Sequence, residues 1–152
     1  MRRKPLSRTG VEVSELGVGG FIGALTDDTA SDTKRQDAAI AAIQSFDEPL
    51  LLIAGGASKG ADFSALGTCI AKSNIRAVLL IGEEAPRIEA AMQQAGLNTT
   101  IHHCRDLTQA VATARDTAQT GDVVLLSPAC ASFDQFSSYA ERGDLFKRLV
   151  AS

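Results

Sequence analysis

Asp122-Val-Val-Leu-Leu-Ser-Pro-Ala-Cys-Ala-Ser-Phe-Asp-Gln-Phe136, continued by Tyr139-Ala-Glu-Arg-Gly-Asp-Leu-Phe-Lys-Arg-Leu149, decides the fold. Val123–Leu126 is an apolar run that reads as a buried strand, and Ser127-Pro128 ends it. A small-residue turn, Ala129 to Ser132, leads into an amphipathic pattern predicted to be mostly helical over Gln135–Val150. Ser132 stands where an N-cap would stand, and Gln135 follows three residues later, the spacing of a capping box. A strand that runs through a short turn into a helix is the repeating unit of a parallel sheet, and open α/β sheets hold ligands at such strand ends. The free amides of a helix start favour an anion there.

Upstream, the same alternation recurs. Strands are predicted at Leu50–Ala54, Ala77–Ile81 and Thr99–His102, and helices at Ala61–Ser73, Pro86–Ala95 and Leu107–Ala118. Pro86 suits a first helical turn, Gly96 a helix end and Asp106 an N-cap. The strands are apolar throughout, so both sheet faces should be covered. The predicted fold is therefore α/β: a three-layer Rossmann-like sandwich, a mostly parallel sheet with helices on both faces, preceded by an N-terminal β-hairpin, in a single domain spanning 1–152.

Composition narrows the function. The chain has 152 residues, 45% hydrophobic and 22% charged, with a formal charge of −3. That balance offers no basic field for nucleic acid. No apolar stretch approaches the ~20 residues of a membrane span, and no apolar segment follows the basic start Met1-Arg-Arg-Lys-Pro5. Cys69, Cys104 and Cys130 are odd in number and read as reduced thiols, which points to the cytoplasm. His102, His103 and Cys104 are adjacent on one strand and point to opposite faces, so no metal site is expected.

Ile53-Ala-Gly-Gly-Ala-Ser-Lys-Gly-Ala-Asp-Phe-Ser64 is a strand, a glycine turn, a lysine and a helix start. Gly55, Gly56 and Ser58 form a candidate anion-binding loop, with Lys59 as its cation and Asp62 as a helix cap. The pattern is not a Walker A loop, because Gly-x-x-x-x-Gly-Lys-Ser/Thr is absent. Gly17-Val-Gly-Gly-Phe-Ile-Gly23 has dinucleotide-like spacing, but the following residues, Ala24–Thr29, read as loop rather than helix.

From Phe46 to Val150 the chain resembles the C-terminal domain of the Mur ligases, in particular the branch that adds D-glutamate to a UDP-N-acetylmuramoyl-L-alanine precursor in peptidoglycan synthesis. The resemblance implies that Lys59 holds a carboxylate of D-glutamate, that Ser132 and Phe133 contact the same amino acid, and that Tyr139 lines the pocket. The family's Asp-Ser-Lys-Ala-Thr-Asn element survives only as an echo in Asp32-Thr-Lys-Arg-Gln36. In the intact family, ATP and magnesium sit in a central domain and the precursor in an N-terminal one. Neither fits in 152 residues, so no catalytic residue, metal or cofactor is assigned to this chain.

The first 44 residues are similar to a different family. Lys4-Pro-Leu-Ser-Arg-Thr-Gly-Val-Glu-Val-Ser-Glu-Leu-Gly-Val-Gly-Gly20 resembles the opening of an aldo-keto reductase. It implies a hairpin Lys4–Val13 turning at Arg8-Thr9-Gly10, a strand Leu16–Phe21 and a helix Ser31–Gln44 burying Ala38, Ala39, Ala42 and Ile43. The expected Phe-Asp-Thr continuation does not arrive; Ser45-Phe-Asp-Glu-Pro49 does. The chain thus reads as a chimera with its seam near Ala38–Phe46, catalytically inactive, binding D-glutamate or another small anion weakly, with a homodimer through the hairpin as one arrangement. The alternatives are the D-glutamate-binding part of a working ATP-dependent ligase and, third, an NADPH-dependent oxidoreductase.

Overall fold

Leu50-Leu-Leu-Ile-Ala-Gly55 has no polar side chain, and all six residues are buried. Such a strand needs cover on both faces. In the computed structural model, which describes residues 12–16, 21–25, 31–97, 99–132 and 134–151, that cover is supplied by helices on either side. The described elements run β1 (Glu12–Leu16), β2 (Phe21–Leu25), α1 (Asp32–Gln44), β3 (Leu50–Gly55), α2 (Ser64–Lys72), β4 (Ile75–Ile81), α3 (Ala85–Gln94), β5 (Thr100–His103), α4 (Leu107–Thr117), β6 (Val123–Leu126) and α5 (Tyr139–Ala151).

The strands form one sheet in the order β1-β2-β6-β3-β4-β5. β2, β6, β3, β4 and β5 are parallel, and β1 adds an antiparallel edge. Alternate residues of each central strand enter opposite cores. Leu50, Leu52, Ala54, Val78, Leu80 and Leu125 face α1, α2 and α3 through Ala42, Ile43, Leu66, Ile70, Ile88 and Met92. Leu51, Ile53, Leu79, Ile81, Val124 and Leu126 face α4 and α5 through Leu107, Ala110, Val111, Ala114 and Phe146. The result is the expected Rossmann-like three-layer sandwich.

Ser31 caps α1 by accepting the Lys34 N–H at 3.2 Å. Ala38, Ala39, Ala42 and Ile43 are buried as the spacing predicts, and Arg35 and Gln36 are buried with them. Asp106 caps α4 through the Gln109 N–H at 2.9 Å.

Two expectations change. The strand predicted at Leu16–Phe21 does not stand as one strand: Leu16 ends β1, Phe21 starts β2, and the two are antiparallel register partners. Residues 17–20 lie outside the described residues, as do residues 1–11, with the turn Arg8-Thr9-Gly10, and residues 26–30. The helix predicted from Gln135 begins only at Tyr139.

Phe21 ties the hairpin to the molecule. Its ring is 3% exposed, stands 6.4 Å from Phe146, and has the Arg115 guanidinium 5.7 Å from its centroid. Arg115 also donates to the carbonyls of Leu149 and Val150 at 2.5 and 2.6 Å, closing the C-terminal end of α5. Phe21→Ala is expected to cost about 3–5 kcal/mol, the range for emptying an aromatic core position. Urea denaturation checks this, and an unchanged midpoint would mean that β2 is not part of the core.

Candidate functional site

The chain leaves β3 through α2 toward one side of the sheet and returns from β5 to place β6 on the other side of β3. α2 then covers one face and α5 the other. This divergence makes the carboxyl ends of β3 and β6 a topological switch point, the place where open α/β sheets bind ligands in a crevice. Both stretches singled out in the sequence end there.

The β3 ladder continues past the strand. Gly55 N–H donates to Pro128 O at 2.9 Å, and Ser127 N–H to Ile53 O at 3.1 Å. Ala57 and Ala131 then exchange two bonds, of 3.0 and 2.9 Å, in an isolated antiparallel bridge. Only backbone fits between these segments. A Cβ on Gly55 would stand 1.8 Å from Ile81 O, and one on Gly56 would stand 2.3 Å from Ala131 O. Both glycines have φ values, 127° and 143°, that L side chains avoid.

The bridge brings Lys59 and Ser132 to the same crevice in different states. Lys59 is exposed, and its backbone N–H donates to Asp32 Oδ2 at 3.1 Å. Asp32 Oδ1 in turn accepts from Arg35 Nη1 at 2.9 Å. Ser132 is 1% exposed, and its carbonyl accepts the Gln135 and Phe136 N–H groups at 3.2 and 2.9 Å. The Ser58 hydroxyl donates to Glu84 Oε2 and accepts the Ala61 N–H, so it braces the loop rather than facing outward. Glu84 is further held by Arg87, which also donates to Ala61 O. Phe133 and the Tyr139 side chain lie outside the described residues.

The capping box at Ser132 does not form. Its carbonyl closes a turn, and α5 is capped by Ser138, whose Oγ accepts the Glu141 N–H at 3.2 Å. Glu141 reaches back to Ser137, accepting its N–H at 3.2 Å and its hydroxyl at 2.9 Å. Ser138-x-x-Glu141 competes with Ser132-x-x-Gln135 and wins, so the helix-start amides expected beside Ser132 lie beyond Ser138. Asp62 acts near the start of α2, accepting the Ser64 N–H at 2.9 Å and its hydroxyl at 2.6 Å; these bonds hold the Asp62 carboxyl below its ordinary pKa.

Three residues of the site were given no role by the sequence, Glu84, Asp134 and Arg142, and Asp32 stood there only as part of the family echo. Asp134 Oδ2 accepts the Glu83 N–H at 3.0 Å, and the buried Arg142 donates to Cys130 O at 3.1 Å. Asp134 and Arg142 stand in the run that decided the fold, whereas Asp32 and Glu84 arrive only through topology. Ala129, at φ 63°, is the non-glycine residue in the left-handed region among the described residues. The arrangement offers an exposed ammonium beside a rigid backbone crevice, suited to holding an anion. Among the described residues no group of three His, Cys, Asp or Glu side chains could hold a metal ion. His103 instead meets Glu89, 2.7 Å from Nε2 to Oε1.

Burial pushes the Cys130 thiol up to about 12, from 9.0, with Glu84, Asp134 and Asp32 adding to the shift and Arg142 opposing it. A pKa raised on folding gives stability that is present below the unfolded value and lost as pH rises toward the folded one. Wild-type stability should therefore fall between pH about 9 and 12 more steeply than that of Cys130→Ala, as measured by denaturant titration at each pH. Parallel pH profiles would refute this.

The family described as "Mur ligase, glutamate ligase domain" matches residues 18–130. The match begins within the segment that resembles a reductase, taking in β2 and α1, and ends two residues before Ser132. Among curated relatives, the UDP-N-acetylmuramoylalanine--D-glutamate ligase of Aromatoleum aromaticum is 50% identical over 109 residues, 72% of this chain and 23% of that protein. Those of Symbiobacterium thermophilum and Clostridioides difficile are 44% and 46% identical, over 74% and 73% of this chain and 24% of each relative. The chain spans about a quarter of the length of these relatives. No described helix is long and apolar enough to cross a membrane. With a family match over most of its length, on a sheet whose crevice carries the Lys59 loop, the chain belongs to the Mur ligase glutamate ligase domains.

Proposed function

We propose that this domain derives from the D-glutamate-adding ligase of peptidoglycan synthesis, that it binds D-glutamate or a similar small dicarboxylate weakly, and that it makes no amide bond by itself. The observation that carries the binding role is the Ala57–Ala131 bridge, which fastens the Lys59 loop to the Ser132 segment. The names and identities of the relatives support the choice of amino acid. ATP and magnesium, which the family resemblance implies, belong in this proposal to the three quarters of the relatives that this chain does not span. No Gly-x-x-x-x-Gly-Lys-Ser/Thr sequence occurs here to cradle a nucleotide's phosphates.

Weak binding follows from the contacts. A charge-assisted bond from Lys59 contributes about 1.5–3 kcal/mol before ordering costs. A millimolar constant needs about 4 kcal/mol. The helix-start amides that would have added a second such contact are displaced beyond Ser138. Affinity in the millimolar range or weaker is expected.

The chimeric origin is part of the same proposal. Its support is the reductase-like motif at residues 4–20; the family match over residues 18–130 runs across the expected seam at Ala38–Phe46 and speaks against a joint there. As a second reading, the domain is the D-glutamate-binding part of a working ATP-dependent ligase; the identity to D-glutamate ligases across the Lys59 loop favours it.

Titration of the 15N-labelled protein with D-glutamate should shift the amides of residues 57–61 and 130–132. Lys59→Ala should abolish those shifts. ATP and magnesium should produce no phosphate above a buffer blank. Absence of shifts at tens of millimolar D-glutamate would sink the binding role, and ATP turnover lost in Lys59→Ala would sink the inactive reading.

A further inference from the structure

The loop after β6 is fastened at a second point besides the Ala57–Ala131 bridge, at the turn between β4 and α3. Gly82 has φ +79°, and a Cβ there would stand 2.3 Å from Asp134 Oδ2 and 2.8 Å from the backbone of Gly56. Asp134 thus fills the space that a side chain at position 82 would take. Its Oδ2 accepts the Glu83 N–H at 3.0 Å, while the next amide, Glu84 N–H, donates to Gly56 O at 2.9 Å. Two consecutive amides before α3 are therefore taken, one by the loop after β6 and one by the loop after β3.

Asp134 stands two residues after Ser132 and is half-buried. A carboxylate so near a crevice meant for an anion opposes the ligand by like charge, in the low effective dielectric of a partly buried site. Its position is better explained by what it accepts. We infer that Asp134 is a positioning residue: its carboxylate clamps the loop after β6 to the β4–α3 turn and so holds Ser132 against the Lys59 loop. Its effect on ligand affinity rests on the D-glutamate reading above; the clamp itself does not.

The two aspects are separable by substitution. Asparagine keeps an acceptor oxygen at the same reach and removes the charge, whereas alanine removes both. Asp134→Ala should speed amide hydrogen exchange at Glu83 and at Ala131, with little change in the urea midpoint because water replaces the lost acceptor. It should weaken D-glutamate binding about tenfold. Asp134→Asn should restore slow exchange at both amides and bind D-glutamate as tightly as the wild type or more tightly, since the opposing charge is gone.

Unchanged exchange at Glu83 and Ala131 in Asp134→Ala would overturn the clamp whatever the ligand does. Faster exchange with unaltered affinity would overturn the positioning role. Failure of Asp134→Asn to slow exchange again would show that charge, not acceptance of the Glu83 N–H, matters, and would also overturn it. If the wild type binds no D-glutamate, the functional reading falls, and exchange at the two amides still decides the clamp.

Discussion

Backbone meets backbone where β3, β4 and β6 end, and the site depends on nothing standing between them. A side chain at Gly55 would displace the end of β4, and one at Gly56 would displace Ala131. With both positions bare, three loops that are distant in sequence come within hydrogen-bonding range. The Ala57–Ala131 bridge, the Glu84–Gly56 bond and the Asp134–Glu83 bond all follow from that approach. Beneath it lie two dry cores that fix the strand ends, so the loops start from rigid supports.

The charges around the loops are mixed rather than basic. Lys59, Arg35, Arg87 and Arg142 stand with Asp32, Glu84 and Asp134. Most of these groups serve the scaffold: Arg87 holds Glu84, Arg142 holds Cys130 O, and Asp32 holds the Lys59 amide. The Lys59 ammonium is the cation exposed beside the bridge. The weak anion binding proposed above accords with this arrangement, because carboxylates stand near the exposed Lys59.

Much of this was legible in the sequence because burial writes itself into apolar runs. Val123–Leu126 occupies its predicted span, and the alanines of α1 face the core as their spacing requires. The capping error at Ser132 arose because two Ser-x-x-Gln/Glu patterns lie six residues apart, and local chemistry alone does not say which carbonyl closes a turn. The expected strand Leu16–Phe21 takes in the end of one strand and the start of its antiparallel partner, a pairing that local sequence does not mark. Asp32 and Glu84 were out of reach for another reason. They meet the Lys59 loop across 27 and 26 residues of chain, and only the order of strands in the sheet brings them there. Arg35 and Gln36, buried in α1, broke the expectation that polar side chains face water.

The place of β6 in the sheet also sets the order in which the molecule can assemble. β3, β4 and β5 pair in sequence order, but β6 lies between β2 and β3 and pairs with both, Val124 standing opposite Phe21 on one side and Leu51 on the other. The strand on which the hairpin docks is thus made after β3, β4 and β5. At about 5–20 residues per second, β2 waits roughly 5–20 s on the ribosome for its partner. Non-local pairing of this kind slows folding, and an unpaired strand edge left open meanwhile invites association with other chains. The first strand of the parallel sheet is thus left open until β6 is made, and the bridge between the loops after β3 and β6 waits for the same strand.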